Sequence, residues 1–73
     1  MMNKIDKLSK EFGKKIKIER IKQEISQEKL AELSGLHRTT LGAIENGKSS
    51  PTLDSIDKIA KALNLSLSEI LTF

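Results

Sequence analysis

Apolar residues recur along this chain at steps of three and four, in runs separated by polar or glycine-bearing breaks, which predicts helices and no strands. Ile5, Leu8, Phe12 and Ile16 form the first stripe, in a helix expected from about Lys4 to Gln23. Ile18 and Ile21 lie nearly opposite it, so this helix is either buried on both faces or keeps one for a partner. The next run follows Ser26, whose hydroxyl suits an N-cap, and sets Leu30, Ala31 and Leu33 on one face. Ala31 is small enough to let another helix cross close by. Gly35 can take the positive φ that ends the helix. Leu36 then returns to the core, Leu41 and Ile44 give a third helix its buried side, and Asn46-Gly47 stops it.

Pro51 closes the following loop, and Thr52 is the expected N-cap of a fourth helix with Leu53, Ile56, Ile59, Ala60 and Leu63 as its stripe. Asn64 tolerates positive φ and ends that helix. Ser66-Leu67-Ser68-Glu69 reads as a capping box, opening a short fifth helix over about 66–72. That helix is too apolar for capping alone to explain. Leu67 and Ile70 are expected to cover the core. Leu65, Leu67, Ile70, Leu71 and Phe73 are the candidates for a two-fold interface, since a symmetric apolar patch suits a homodimer.

The segment from Ser26 to Lys48 carries the functional signal. Two short helices joined at a glycine, the second apolar on one side only, make the pattern of a DNA-binding helix-turn-helix, placed at about 26–47. A generic helical hairpin is the alternative. Composition narrows the choice. The chain has 73 residues, room for one domain (1–73) with a marginal core. It has no Cys and a single His, so thiolate metal sites and disulfides are excluded and neither a metal nor a cofactor is expected. With no nucleophile beside a base at a recognisable spacing, an enzyme is not expected either. The net charge of +3 favours an anionic partner. Met1 to Lys10 is charged and lacks the apolar run of a signal peptide. No stretch approaches a membrane span, so a cytoplasmic protein of a bacterium or its phage is expected.

Gln27 to Lys48, followed by SPTLDSIDKIAKALNLSLSEIL, resembles the Cro/repressor-type helix-turn-helix, also called XRE, over roughly Phe12 to Leu71. Within it, LSGLHRTTLGAIENG is most similar to the small controller proteins of restriction–modification systems; phage repressors and antitoxins share most of these residues. The resemblance implies an all-α, five-helix, lambda-repressor-like domain that binds double-stranded DNA. It further implies a dimer that acts upstream of its own genes, activating or repressing by occupancy. With no ligand-binding domain, regulation by concentration and no small-molecule ligand are expected. An antitoxin or phage-type repressor whose main partner is another protein is the alternative.

Docking of the motif sends the first turn of the recognition helix into the major groove. Arg38 is the candidate for a bidentate contact to guanine, with a phosphate clamp as its other role. Thr39 can donate to a base edge or press its methyl on thymine, and Thr40 can do the same or bind phosphate. Ala43 faces the bases with Gly42, and both permit close approach without hydrogen bonds, so DNA shape is expected to contribute. Gln27, at a helix N-terminus that favours phosphate, His37, Asn46, Lys48 and Ser49 are the candidate backbone contacts. The resemblance also implies that Arg20 pairs with Glu45, and that Gln27 supports the recognition helix. Family members usually carry Gly where Glu24 stands. The many lysines of the first helix are read as either a phosphate surface or a solvated one.

Overall fold

Four of the five helices start where a short polar side chain accepts an orphan backbone N–H; the third, which opens at His37, does not. The computed structural model describes residues 3–73, and these form α1 (Lys4–Lys22), α2 (Gln27–Ser34), α3 (Arg38–Glu45), α4 (Leu53–Ala62) and α5 (Leu67–Ile70). Asn3 caps α1 by accepting from the Asp6 N–H at 2.8 Å, Ser26 caps α2, and Thr52 caps α4. At α5 the capping box is complete: Ser66 Oγ accepts the Glu69 N–H at 3.0 Å, and Glu69 Oε1 accepts the Ser66 N–H at 2.9 Å. Those bonds, the one from the Ser66 backbone first, hold the Glu69 carboxyl below its usual 4.5. A depressed carboxyl stabilises the fold above its ordinary value, so this contribution fades as pH falls through its titration.

Packing sets the order of the layers. Phe12 and Ile16 from α1, Leu30 and Ala31 from α2, and Leu41 and Ile44 from α3 meet Ile59, Ala60, Leu63 and Ile70 in one buried cluster. α1 lies over α3, α2 touches both α3 and α4, and α5 closes against α4. Gln23 fastens the end of α1 to the end of α4, its amide donating to the Leu63 carbonyl at 2.7 Å. No helix among the described residues is long and apolar enough to cross a membrane.

Several expected core positions lie elsewhere. The α1 stripe is buried only at Phe12 and Ile16; Ile5 and Leu8 are exposed, because the helix overhangs the core there. Ile18 and Ile21 are exposed too. In α2, Ser34 takes the buried place expected of Leu33. Three and four residues from Ala31 and Leu30, it lies on their side of the helix, and its hydroxyl is satisfied by the Leu30 and Ala31 carbonyls at 2.8 and 3.2 Å. Leu53 is the first residue of α4 and is 83% exposed, since that turn projects beyond the partner helices. Leu67 is half-exposed, and α5 is only four residues long, shorter than 66–72. Ile70 is fully buried within the protomer and has no surface left for a partner, which removes it from the expected interface.

The α1–α2 corner carries strain. Glu24 sits at φ 57°, a left-handed conformation that costs a non-glycine residue roughly 1–2 kcal/mol. A Gly there would remove the strain but bring a larger unfolded-state entropy, about 0.4–1 kcal/mol. Since the strain exceeds that entropy, Glu24→Gly is expected to raise the unfolding free energy by up to about 1 kcal/mol in urea titrations. Asn64, at φ 58°, and Gly35, at φ 72°, occupy the same region with residue types that suit it.

Candidate nucleic-acid interface

A concave face forms on the side of α3 away from the core, lined by Gln27, Arg38, Thr39, Gly42, Ala43, Asn46 and Lys48. Arg38, Thr39, Gly42, Ala43 and Asn46 follow one another at steps of one, three and four, so they share one side of α3 and its C-cap, opposite Leu41 and Ile44. Arg38 and Thr39 are exposed in the first turn. The concavity thus gathers six of the nine residues expected at DNA. Thr40 is exposed in the same first turn but outside the concavity, and Ser49 is exposed in the loop beyond it. His37 is the N-cap of α3 and makes no side-chain cap bond, so it is free to turn outward.

Behind this face lies a charged clamp. Glu45, at the end of α3, is buried, with its side chain 1% exposed. Arg20 meets it in a fork: Nε donates to Oε2 at 2.8 Å and Nη2 to Oε1 at 3.1 Å. The remaining nitrogen, Nη1, donates to the Ile25 carbonyl at 2.9 Å. Such a planar, two-point contact fixes orientation as well as charge. Gln27 Nε2 also donates to Glu45 Oε1, at 3.2 Å. One carboxylate therefore ties α1, the N-terminus of α2 and the end of α3 together. Gln27 supports the reading helix through Glu45 and lies across Gly42, where an added methyl would make only ordinary contact at 3.6 Å.

Two close backbone contacts of this frame went unnoticed in the sequence. Gly13 sits in the middle of α1 against the last turn of α3, where a Cβ would overlap the Ile44 carbonyl oxygen and lie 2.8 Å from that of Glu45. A glycine inside an otherwise strong helix costs about 1 kcal/mol in propensity; that cost was the available signal of a close backbone approach. The other contact joins Gly47 to the backbone of Lys10. At Gly47, φ is 68° and a Cβ would come within 2.7 Å of the Lys10 Cα.

The helix-turn-helix family model matches residues 16–70, most of the chain. The chain belongs to the helix-turn-helix family of DNA-binding transcriptional regulators. Among its relatives, the control protein C.SmaI of Serratia marcescens is 50% identical over 48 residues, which are 66% of this chain and 57% of that protein. The control protein C.BamHI of Bacillus amyloliquefaciens is 44% identical over 63 residues, 85% of this chain and 78% of that one. In three dimensions the chain is similar to the restriction–modification controller protein C.AhdI from Aeromonas hydrophila, with a TM-score of 0.83, 37% identity, and 85% and 94% of the two chains covered. The described residues form an all-α architecture of five helices, as the Cro/repressor-type resemblance implied, and that fold is similar to the neighbour's.

Proposed function

We propose that this helix-turn-helix protein is a controller of a restriction–modification system that binds a palindromic operator as a homodimer, within a bacterial cytoplasm. The observation that carries the reading is one concavity lined together by Arg38 and Thr39 from the first turn of α3, the small residues Gly42 and Ala43, and Asn46 and Lys48 beyond its last turn. A cation that can fork onto guanine O6 and N7 is thereby set apart from one placed to neutralise phosphate. Arg38, Thr39, Thr40 and Ala43 read bases; Gln27, His37, Asn46, Lys48 and Ser49 hold the backbone.

Dimerisation uses the apolar surface left at the C-terminal end. Leu67, Leu71 and Phe73 are about half exposed, and Leu65 lies partly open beside the core. Phe73 is itself steadied by an edge-on contact with Phe12, ring centres 6.3 Å apart. Two copies joined there would present two α3 helices, and a spacing of about 34 Å between them matches one turn of DNA. Occupancy then follows protein concentration.

The division of labour is testable by binding titrations against a set of single-base operator variants. Arg38→Ala is expected to flatten discrimination at one position, a loss of about 1–3 kcal/mol there. Lys48→Ala is expected to weaken every duplex alike and to make the salt dependence shallower by about one phosphate's worth. Identical behaviour of the two variants would contradict the assignment of reading and anchoring roles.

A further inference from the structure

Charge is segregated in this chain. Eight of its thirteen Lys and Arg lie on α1, with only three of its ten Asp and Glu. Elsewhere the lysines of the helices are tied to acids: Lys29 to Glu32, Lys58 to Asp54, Lys61 to Asp57. On α1 itself, Lys15 and Lys22 share Glu19. Among the described residues, the α1 lysines Lys4, Lys7, Lys10, Lys14 and Lys17 are exposed and have no acidic partner within salt-bridge distance; Lys10 and Lys17 are set apart by where they point.

Their direction follows from helix geometry. Successive residues turn by about 100°, so a walk around α1 starts at the core with Phe12 and Ile16. It passes Arg20 and Gly13, which touch the end of α3, and next reaches Lys17 and Lys10. These two therefore emerge beyond α3 on the side away from the core, which is also the side of the concavity. A contact confirms the placement: Gly47 packs on the backbone of Lys10, and the next residue, Lys48, lines the concavity. Lys10 and Lys17 are two helical turns apart, about 10.5 Å along the axis. Set that far apart, the two side chains can each engage a separate phosphate.

We propose that Lys10 and Lys17 form a second phosphate-binding ridge, extending the DNA footprint past the loop after α3 and onto α1. The inference rests on the DNA-binding reading above and adds to it contacts that no recognition-helix pattern contains. The ridge anchors without reading, since both side chains are point charges on flexible stems. It strengthens operator and random duplexes equally.

The test is the salt dependence of duplex binding by the full chain and by a Lys10→Gln/Lys17→Gln double variant. Wild type is expected to show a steeper slope by about 1.8, at roughly 0.9 for each phosphate lost. A fourfold drop in salt then strengthens wild type about twelvefold more than the variant, on operator and random DNA alike. A Lys58→Gln/Lys61→Gln variant loses the same net charge from α4 and is expected to keep the wild-type slope. Equal slopes for wild type and the Lys10/Lys17 variant would overturn the proposal, as would equal losses in both doubles, which would mark a general effect of charge. Retained DNA binding with lost attachment to anionic vesicles would assign the ridge to a membrane surface instead. Wild type that binds no duplex at any salt would overturn the DNA-binding reading itself, and this ridge with it.

Discussion

Arg20→Ala is expected to lower the unfolding free energy by about 3–5 kcal/mol, because it leaves the Glu45 carboxylate buried without its charge partner. For a domain of this size that is a large share of a total of roughly 5–15 kcal/mol. The two fork bonds vanish together with the bond to the Ile25 carbonyl, and only the Gln27 amide still reaches the carboxylate. Urea titration followed by circular dichroism measures the loss. A change below about 1 kcal/mol would mean that water reaches Glu45 and that the pair behaves as a surface contact. Replacing both partners, as in Arg20→Met/Glu45→Leu, is expected to recover most of the stability, since an apolar pair of similar volume avoids the cost of burying charge. DNA affinity is expected to stay below wild type in that double variant, because Gln27 loses the carboxylate that holds it beside α3. The two readouts separate what the clamp does for folding from what it does for the reading face.

Gly13→Ala is expected to destabilise the protein although it improves α1. Alanine is the better helix former by about 1 kcal/mol. Against that, its methyl would overlap the Ile44 carbonyl oxygen and crowd that of Glu45. Both obstacles are backbone, so no rotamer change relieves them, and α1 must move off the end of α3. Overpacking of this kind costs about 1–3 kcal/mol and sometimes more, so the steric penalty exceeds the propensity gain. The melting temperature of the protein should fall while the helicity of an isolated α1 peptide rises. A more stable Gly13→Ala protein would show that the α1–α3 contact is looser than described.

What was legible in the sequence is what local chemistry dictates. Ser26, Thr52, Ser66 with Glu69, Gly35 and Asn64 act through their own backbone neighbourhoods, and each does in the structure what its type and place imply. The core positions Leu30, Leu41 and Ile59 follow from periodicity, because mid-helix residues have neighbours on every side. Periodicity misleads at helix ends. Leu53, Leu67 and Ile5 fit their stripes by angle but sit where the helix runs past its partners, and no count along the chain reveals an overhang. Polarity misled at Ser34, where a hydroxyl satisfied by its own helix can be buried and the neighbouring Leu33 is left outside. Ile70 was expected both to cover the core and to join the interface; α5 turns it fully inward, which fits the first role and leaves no surface for the second. The backbone contacts of Gly13 and Lys10 were invisible for another reason. Their partners lie more than thirty residues away, and only the crossing of α1 over α3 brings them together.

The face around Arg38 is exposed, helical and backed by a buried clamp, and the account stands on its entering the major groove. Selection of bound duplexes from a random pool tests this most directly, with wild type and Arg38→Ala run side by side. Wild type is expected to enrich an inverted repeat whose half-sites lie one helical turn apart, about 10 base pairs from centre to centre. Arg38→Ala is expected to enrich the same repeat with one position in each half relaxed. A wild-type pool with no enriched sequence, or an enriched site unchanged by Arg38→Ala, would contradict the account.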